Sequence, residues 1–170
     1  MLSRLSIAAR SFICAGLAMS ALALAPAASA QVTKIQPNPA ALILEAADVK
    51  AGTDMIFLSG QLAAPVAPPA EGATPEYGDT KAQTISVLGK IKAILARQGY
   101  TMDDVIKLTL FVAADPKLGK MDFAGANEGF KTFFRTAETP STVARSTFQV
   151  AALVAPQFLI EIEAIAAKKR

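Results

Sequence analysis

The sequence contains no histidine and no tryptophan, and only one cysteine and two tyrosines among 170 residues. Without histidine there is no Ser-His-Asp or Cys-His nucleophilic chemistry and no histidine-based zinc site. The lone cysteine, Cys14, excludes an intrachain disulfide and a cysteine-cluster metal centre. Charge is also sparse: 18% of residues are charged and 52% are hydrophobic. That is too apolar for a disordered chain and sufficient for one packed core.

Residues 1–30 read MLSRLSIAARSFICAGLAMSALALAPAASA. Arg4 and Arg10 form a basic start, an apolar stretch runs from about Ser11 to Leu24, Pro26 breaks it, and Ala28-Ser29-Ala30 supplies a small-x-small cleavage site. These are the parts of a secretory signal peptide, with cleavage expected after Ala30. The apolar stretch is shorter than the roughly 20 residues a spanning helix needs. Cleavage removes two of the 17 basic residues and none of the 14 acidic ones, leaving 15 against 14. The mature chain is therefore expected to be periplasmic or secreted, near neutral and free of thiols. It is expected to have no nucleic-acid partner and no membrane attachment.

About 140 residues remain, with no internal repeat. Residues 31–39 read as a polar leader and 40–170 as one domain. Ala40 to Val49 has strand or irregular character, and Ala51-Gly52-Thr53-Asp54 signals a turn. Met55 to Leu58 reads as a strand stopped at Ser59-Gly60. Ala63 to Tyr77, with four prolines and a glycine, reads as a long loop. A helix capped by Asp79 or Thr80 is expected to run to about Gln98, with Ile85, Leu88, Ile91 and Leu95 as its apolar stripe and Gly99 as its stop. Asp103 to Ala113 contains a strand. A second helix spans about Met121 to Phe134, with Phe123, Phe130 and Phe134 on its buried face. Val143 to Leu153 and Phe158 to Ala166 close the chain as strands. The order β-β-α-β-α-β-β predicts an α+β fold, one sheet covered by two helices.

Three features are out of place for a plain core. Asn127 lies on the same stripe as Phe123, Phe130 and Phe134, and either bonds nearby backbone or faces a ligand. Alternation in the next strand groups Arg145, Thr147 and Gln149 on one face and Ser146, Phe148 and Val150 on the other. The Phe/Val face is expected against the helices. The arginine is then either solvated or held in a cleft to grip a carboxylate. In the last strand Glu161 and Glu163 face together, away from Ile160 and Ile162, marking either an exposed edge or a site.

Five segments taken in order resemble the Rid (YjgF) family of reactive-imine deaminases. They are Leu58-Ser59-Gly60-Gln61, Asp104 to Val112, Phe123 to Glu128, Ala144 to Leu153, and Ile160 to Ala166. Together they cover roughly residues 40 to 167. The resemblance implies a chorismate-mutase-like fold and a homotrimer whose sheets line a central barrel, with sites between subunits. It implies hydrolysis of 2-imino acids to 2-keto acids and ammonia, without metal or cofactor, and hence small 2-imino or 2-keto carboxylates as partners. By the same match, Arg145 anchors the substrate carboxylate and Glu161 positions a water. Gly60 and Thr147 offer backbone groups, and Asn127 shapes the pocket wall.

The sequence departs from that pattern in places. Active deaminases of the family usually carry a tyrosine in the N-terminal segment, whereas Ala40 to Asp48 has no aromatic residue. The approach to the arginine is lengthened to Pro140-Ser141-Thr142-Val143-Ala144-Arg145, and Thr147 stands where cysteine is frequent. A non-catalytic trimer that binds small carboxylates, or a chaperone-like protein, is the alternative reading on the same fold.

Overall fold

The computed structural model describes residues 31–169, so the expected signal peptide lies outside the described residues. Among the described residues no helix is long and apolar enough to cross a membrane.

Four strands form the main sheet: β3 (Thr53–Leu62), β4 (Val105–Val112), β7 (Ala144–Gln149) and β8 (Ile160–Lys169), in the order β3-β8-β4-β7. β8 is antiparallel to both neighbours, whereas β4 and β7 are parallel. Helix α1 (Thr80–Arg97) connects β3 to β4, and α2 (Phe123–Lys131) connects β4 to β7. Both crossovers step in the same direction across the sheet, so right-handed connection places both helices on one face. This is the expected α+β architecture, two helices over one mixed sheet.

Strand alternation fills the helix-covered face. Leu108, Leu110 and Val112 of β4 lie beside Ala164, Ile162 and Ile160 of β8, all buried. They pack with Val87, Leu88, Ile91 and Leu95 of α1 and with Phe130 and Phe134, whose rings stack at 4.6 Å. The α1 stripe differs from expectation at one position: Ile85 is 37% exposed, and Gln83, Thr84 and Val87 turn inward instead. Gln83 can be buried because each end of its amide is satisfied. Nε2 donates to the carbonyls of Gly78 and Gln157, and Oε1 accepts from the Leu159 amide. The helices approach closely at Gly129, where a Cβ would come within 2.6 Å of the Thr84 Cβ.

Caps set the helix starts. Asp79 accepts from the Ala82 amide, and Asp122 accepts from the Gly125 amide. Helix α2 ends at Lys131, short of the expected Phe134, and Arg135 then turns the chain with φ 60°. Its guanidinium donates to the carbonyls of Pro39, Ala40 and Ala41, tying down the incoming segment.

The structure adds elements that the sequence reading lacked. Residues 31–39 are more than a leader, because β1 (Val32–Ile35) pairs antiparallel with β2 (Ala46–Val49) outside the main sheet. Lys34 of β1 donates to the Asp103 carbonyl and the Ser141 hydroxyl, both at 2.6 Å, stapling the pair to the main domain. Burial pulls the Lys34 pKa below its ordinary value, against the attraction of Asp103 and Asp104. Strand β3 begins at Thr53, inside the expected turn, and runs on through Ser59-Gly60 as a bulge. Leu58 and Gln61 pair with Ala164 and Ile162, so β3 fits one extra residue there. A small hairpin, β5 (Ala114–Asp115) and β6 (Lys120–Met121), precedes α2.

Candidate functional site

The parallel register pairs Arg145 with Leu108, Thr147 with Leu110 and Gln149 with Val112. The Arg/Thr/Gln face of β7 therefore lies on the helix side of the sheet. This reverses the expectation that Phe148 packs under the helices. Phe148 is 53% exposed on the opposite face, beside Phe111. Alternation fixes which residues share a face, and the partner strand decides which way that face points.

Arg145 is thus a guanidinium beneath α2. Its Cζ lies 4.6 Å from the Phe130 ring centroid and 5.8 Å from that of Phe123. Its Nη2 donates to Asn127 Oδ1 at 2.7 Å. Its Nη1 is buried without a hydrogen-bond partner. None of the ion pairs among the described residues includes Arg145. Burial lowers its pKa from the ordinary arginine value. The Thr147 hydroxyl, next along the same face, is also buried without a partner. A fork with an unused donor, oriented by an amide and bedded on aromatic rings, is suited to a planar carboxylate.

Asn127 therefore does bond to a neighbour, but the neighbour is the arginine side chain rather than backbone. Phe123, expected in the core, is 45% exposed and forms one edge of the guanidinium bed. Asn127, Phe123 and Gln149 also line a cavity of about 730 Å³ bounded by the β5–β6 hairpin.

The remaining candidates sit elsewhere. Glu161 pairs with Phe111 and Leu62, which puts it on the open face of the sheet. A Cβ on Gly60 would overlap the Glu161 carboxylate, so the bulge glycine leaves the space that this side chain occupies. Gly60 and Glu161 form one group, and Arg145, Asn127 and Thr147 form another. Within one chain the groups lie on opposite faces and on different strands. Asn127 and Arg145 meet within a single chain and Glu161 does not join them there; the resemblance expects the sites between subunits. Arg145, Thr147 and Gln149 share no sheet face with Glu161 and Glu163. Within one chain Arg145 and Glu161 are therefore not an ion pair.

The open face carries its own depression, about 280 Å³, lined by Phe57, Ser59, Lys107, Thr109 and Glu163 among others. Lys107 donates to the Ser146 hydroxyl there, at 2.7 Å. Phe57 is 69% exposed on the same face. The hairpin beside Asn127 was missed in the sequence, although Pro116 and Gly119 are turn residues that could have signalled it.

The sequence profile of the family described as Endoribonuclease L-PSP matches residues 36–168. A RutC family protein from Haemophilus influenzae is 36% identical over 142 residues, covering 82% of this chain and 98% of that protein. A protein from Salmonella typhimurium named 2-iminobutanoate/2-iminopropanoate deaminase is 37% identical over 115 residues, covering 68% of this chain and 80% of the other. Among solved structures, a conserved Rid-family protein of unknown function from Yersinia pestis superposes with a TM-score of 0.61 at 27% identity. It covers 81% of this chain and 99% of its own.

Proposed function

We propose, for a chain that belongs to the Endoribonuclease L-PSP family of Rid (YjgF) proteins, hydrolysis of small 2-imino acids to 2-keto acids and ammonia. The observation that carries this reading is the Arg145 guanidinium, with a buried and unpaired Nη1 and no carboxylate partner among the described residues. The relative named as a 2-iminobutanoate/2-iminopropanoate deaminase supports the same chemistry.

In this reading Arg145 holds the substrate carboxylate with a two-pronged bond, and Asn127 holds Arg145. The protonated imine carbon is already electrophilic. One water adds to it, its oxygen becomes the keto oxygen, and the nitrogen leaves with the protons as ammonium. The protein has to position the water and the carbon relative to each other. Glu161 orients the water, and backbone groups at Gly60 and Thr147 bound the substrate.

Because Glu161 and Arg145 lie on opposite faces of one sheet, the complete site requires two copies. Each interface of a homotrimer would join the Arg145 group of one chain to the Glu161-Gly60 group of its neighbour. The exposed Phe57 and Phe148 support burial of the open face in such an assembly. Export after cleavage at Ala30 completes the proposal. Intact-mass measurement on the envelope fraction tests it, and a chain that retains residues 1–30 rejects it.

The second reading is carboxylate binding without turnover. It is favoured by the segment 40–48, which supplies Leu42 and Leu44 to the interior and no aromatic residue to close over a substrate. The family description names RNA cleavage. A single guanidinium enclosed by phenylalanines fits a small carboxylate better than a strand of phosphates, which exposed cations would track. The deciding experiment generates 2-iminobutanoate and 2-iminopropanoate enzymatically and follows keto-acid release by the purified protein. Keto acid released above the spontaneous rate supports hydrolysis. Binding of 2-oxobutanoate without added release supports the second reading. Cleavage of an RNA oligonucleotide with neither effect rejects both.

A further inference from the structure

The cavity beside Arg145 has a chemistry that the carboxylate site alone does not explain. Leu118 of the hairpin, Met121, Phe123 and Ala124 give it an apolar lining, and Leu118 and Phe123 are exposed in the isolated chain. Three of its polar wall residues already have their oxygens engaged. Asp122 Oδ1 caps the Gly125 amide, Asn127 Oδ1 accepts from Arg145, and Gln149 Oε1 accepts from the Met121 amide. The accessible lining is mostly carbon, and the Lys120 side chain also borders it. The cavity's position is fixed by the guanidinium, because Phe123 and Asn127 border both. Arg145, Thr147 and Gln149 form one row along β7, from the guanidinium to the cavity wall, roughly 13 Å end to end at strand rise.

We propose that this cavity receives the substrate side chain and that the preferred substrates are 2-imino acids with branched aliphatic or aromatic side chains. A volume of about 730 Å³ lies in the range of ordinary small-molecule sites, and a methyl group would leave most of it empty. Each further methylene buried in such a wall is worth about fourfold in binding. The inference deepens the imine-hydrolysis reading and rests on it.

The test supplies 2-imino acids made in situ by an amino-acid oxidase from alanine, leucine and phenylalanine. The expected kcat/KM for the leucine- or phenylalanine-derived imine exceeds that for the alanine-derived one by about tenfold or more. Filling the cavity from the first turn of α2 with Ala124→Trp, or placing charge on the hairpin with Leu118→Asp, should bring that ratio close to one. Melting curves on the same samples verify folding. A wild-type ratio of one or less overturns the inference, as does a ratio that neither folded variant changes. Failure to hydrolyse any of the imines defeats the proposed reaction instead. In that case calorimetry with 2-oxopropanoate and 4-methyl-2-oxopentanoate reads the cavity directly. Tighter binding of the branched acid upholds the cavity as the side-chain site, and equal or weaker binding overturns it.

Discussion

The two faces of the β3-β8-β4-β7 sheet are built from alternating residues of the same strands, yet they differ in what they require. The helix side is closed by α1 and α2 over Leu108, Leu110, Ile160 and Ile162. The other side exposes Phe57 and Phe148 around Lys107, Thr109 and Glu163. The closed face is complete within one chain and ends, on its outermost strand, in an arginine with an unused donor. The open face holds the glutamate that the proposed reaction needs. One face therefore stabilises the protomer, and the other is the face we propose for assembly.

The sharpest contrast should come from truncating the closed face. Leu110→Ala is expected to cost about 2–5 kcal/mol of folding stability, read by urea or thermal unfolding. A loss below about 1 kcal/mol would contradict the assignment of that face to the core. On the open face, Phe148→Asp should leave the protomer folded by circular dichroism while light scattering falls from three chain masses to one. Retention of a trimer would remove this face from the interface.

Arg145→Ala probes the functional end of the closed face. Loss of a charge-assisted contact costs about 1.5–3 kcal/mol, so catalytic efficiency or carboxylate affinity should fall at least tenfold. Arg145→Lys should recover only part, since an ammonium lacks the planar fork. The guanidinium has no ion-pair partner within its own chain, so unfolding of that chain should change much less than activity. Wild-type turnover and binding in an intact assembly would take Arg145 out of the site. The smallest of these effects belongs to Gly60→Ala. The added methyl displaces the flexible end of Glu161, so turnover should drop several-fold while carboxylate binding and the fold persist. Unchanged turnover would remove Glu161 from water positioning.

Periodicity and turn chemistry made much of this legible in the sequence. Asp79 and Gly99 bracket α1, and alternation at Ile160-Glu161-Ile162-Glu163 separated the buried from the open residues of β8 correctly. The orientation of β7 was not legible. An apolar Phe148 was expected to face the helices because alternation marks an apolar face without saying which layer covers it. In the structure the parallel pairing with β4 turns Arg145 inward and leaves Phe148 outside. The proposed division of the site follows from that reversal, since Arg145 faces the helices and Glu161 the open side. Ile85 and Phe123 were misplaced for a related reason. Helical spacing marks a stripe, but its edges are set by the neighbour, and Gln83 enters the core only because Gly78, Gln157 and Leu159 satisfy its amide.

The claim that the site forms between copies can be tested by mixing two impaired variants, Arg145→Ala and Glu161→Gln. After joint unfolding and refolding, some interfaces in the mixed trimers pair an intact Arg145 from one chain with an intact Glu161 from its neighbour. Random cyclic assembly at equal amounts makes that fraction about one quarter, so imine hydrolysis should return to about a quarter of the wild-type rate. If activity stays at the level of the separate variants while mixed trimers are present, each site is contained in one chain and the account of a site divided between the two faces is wrong.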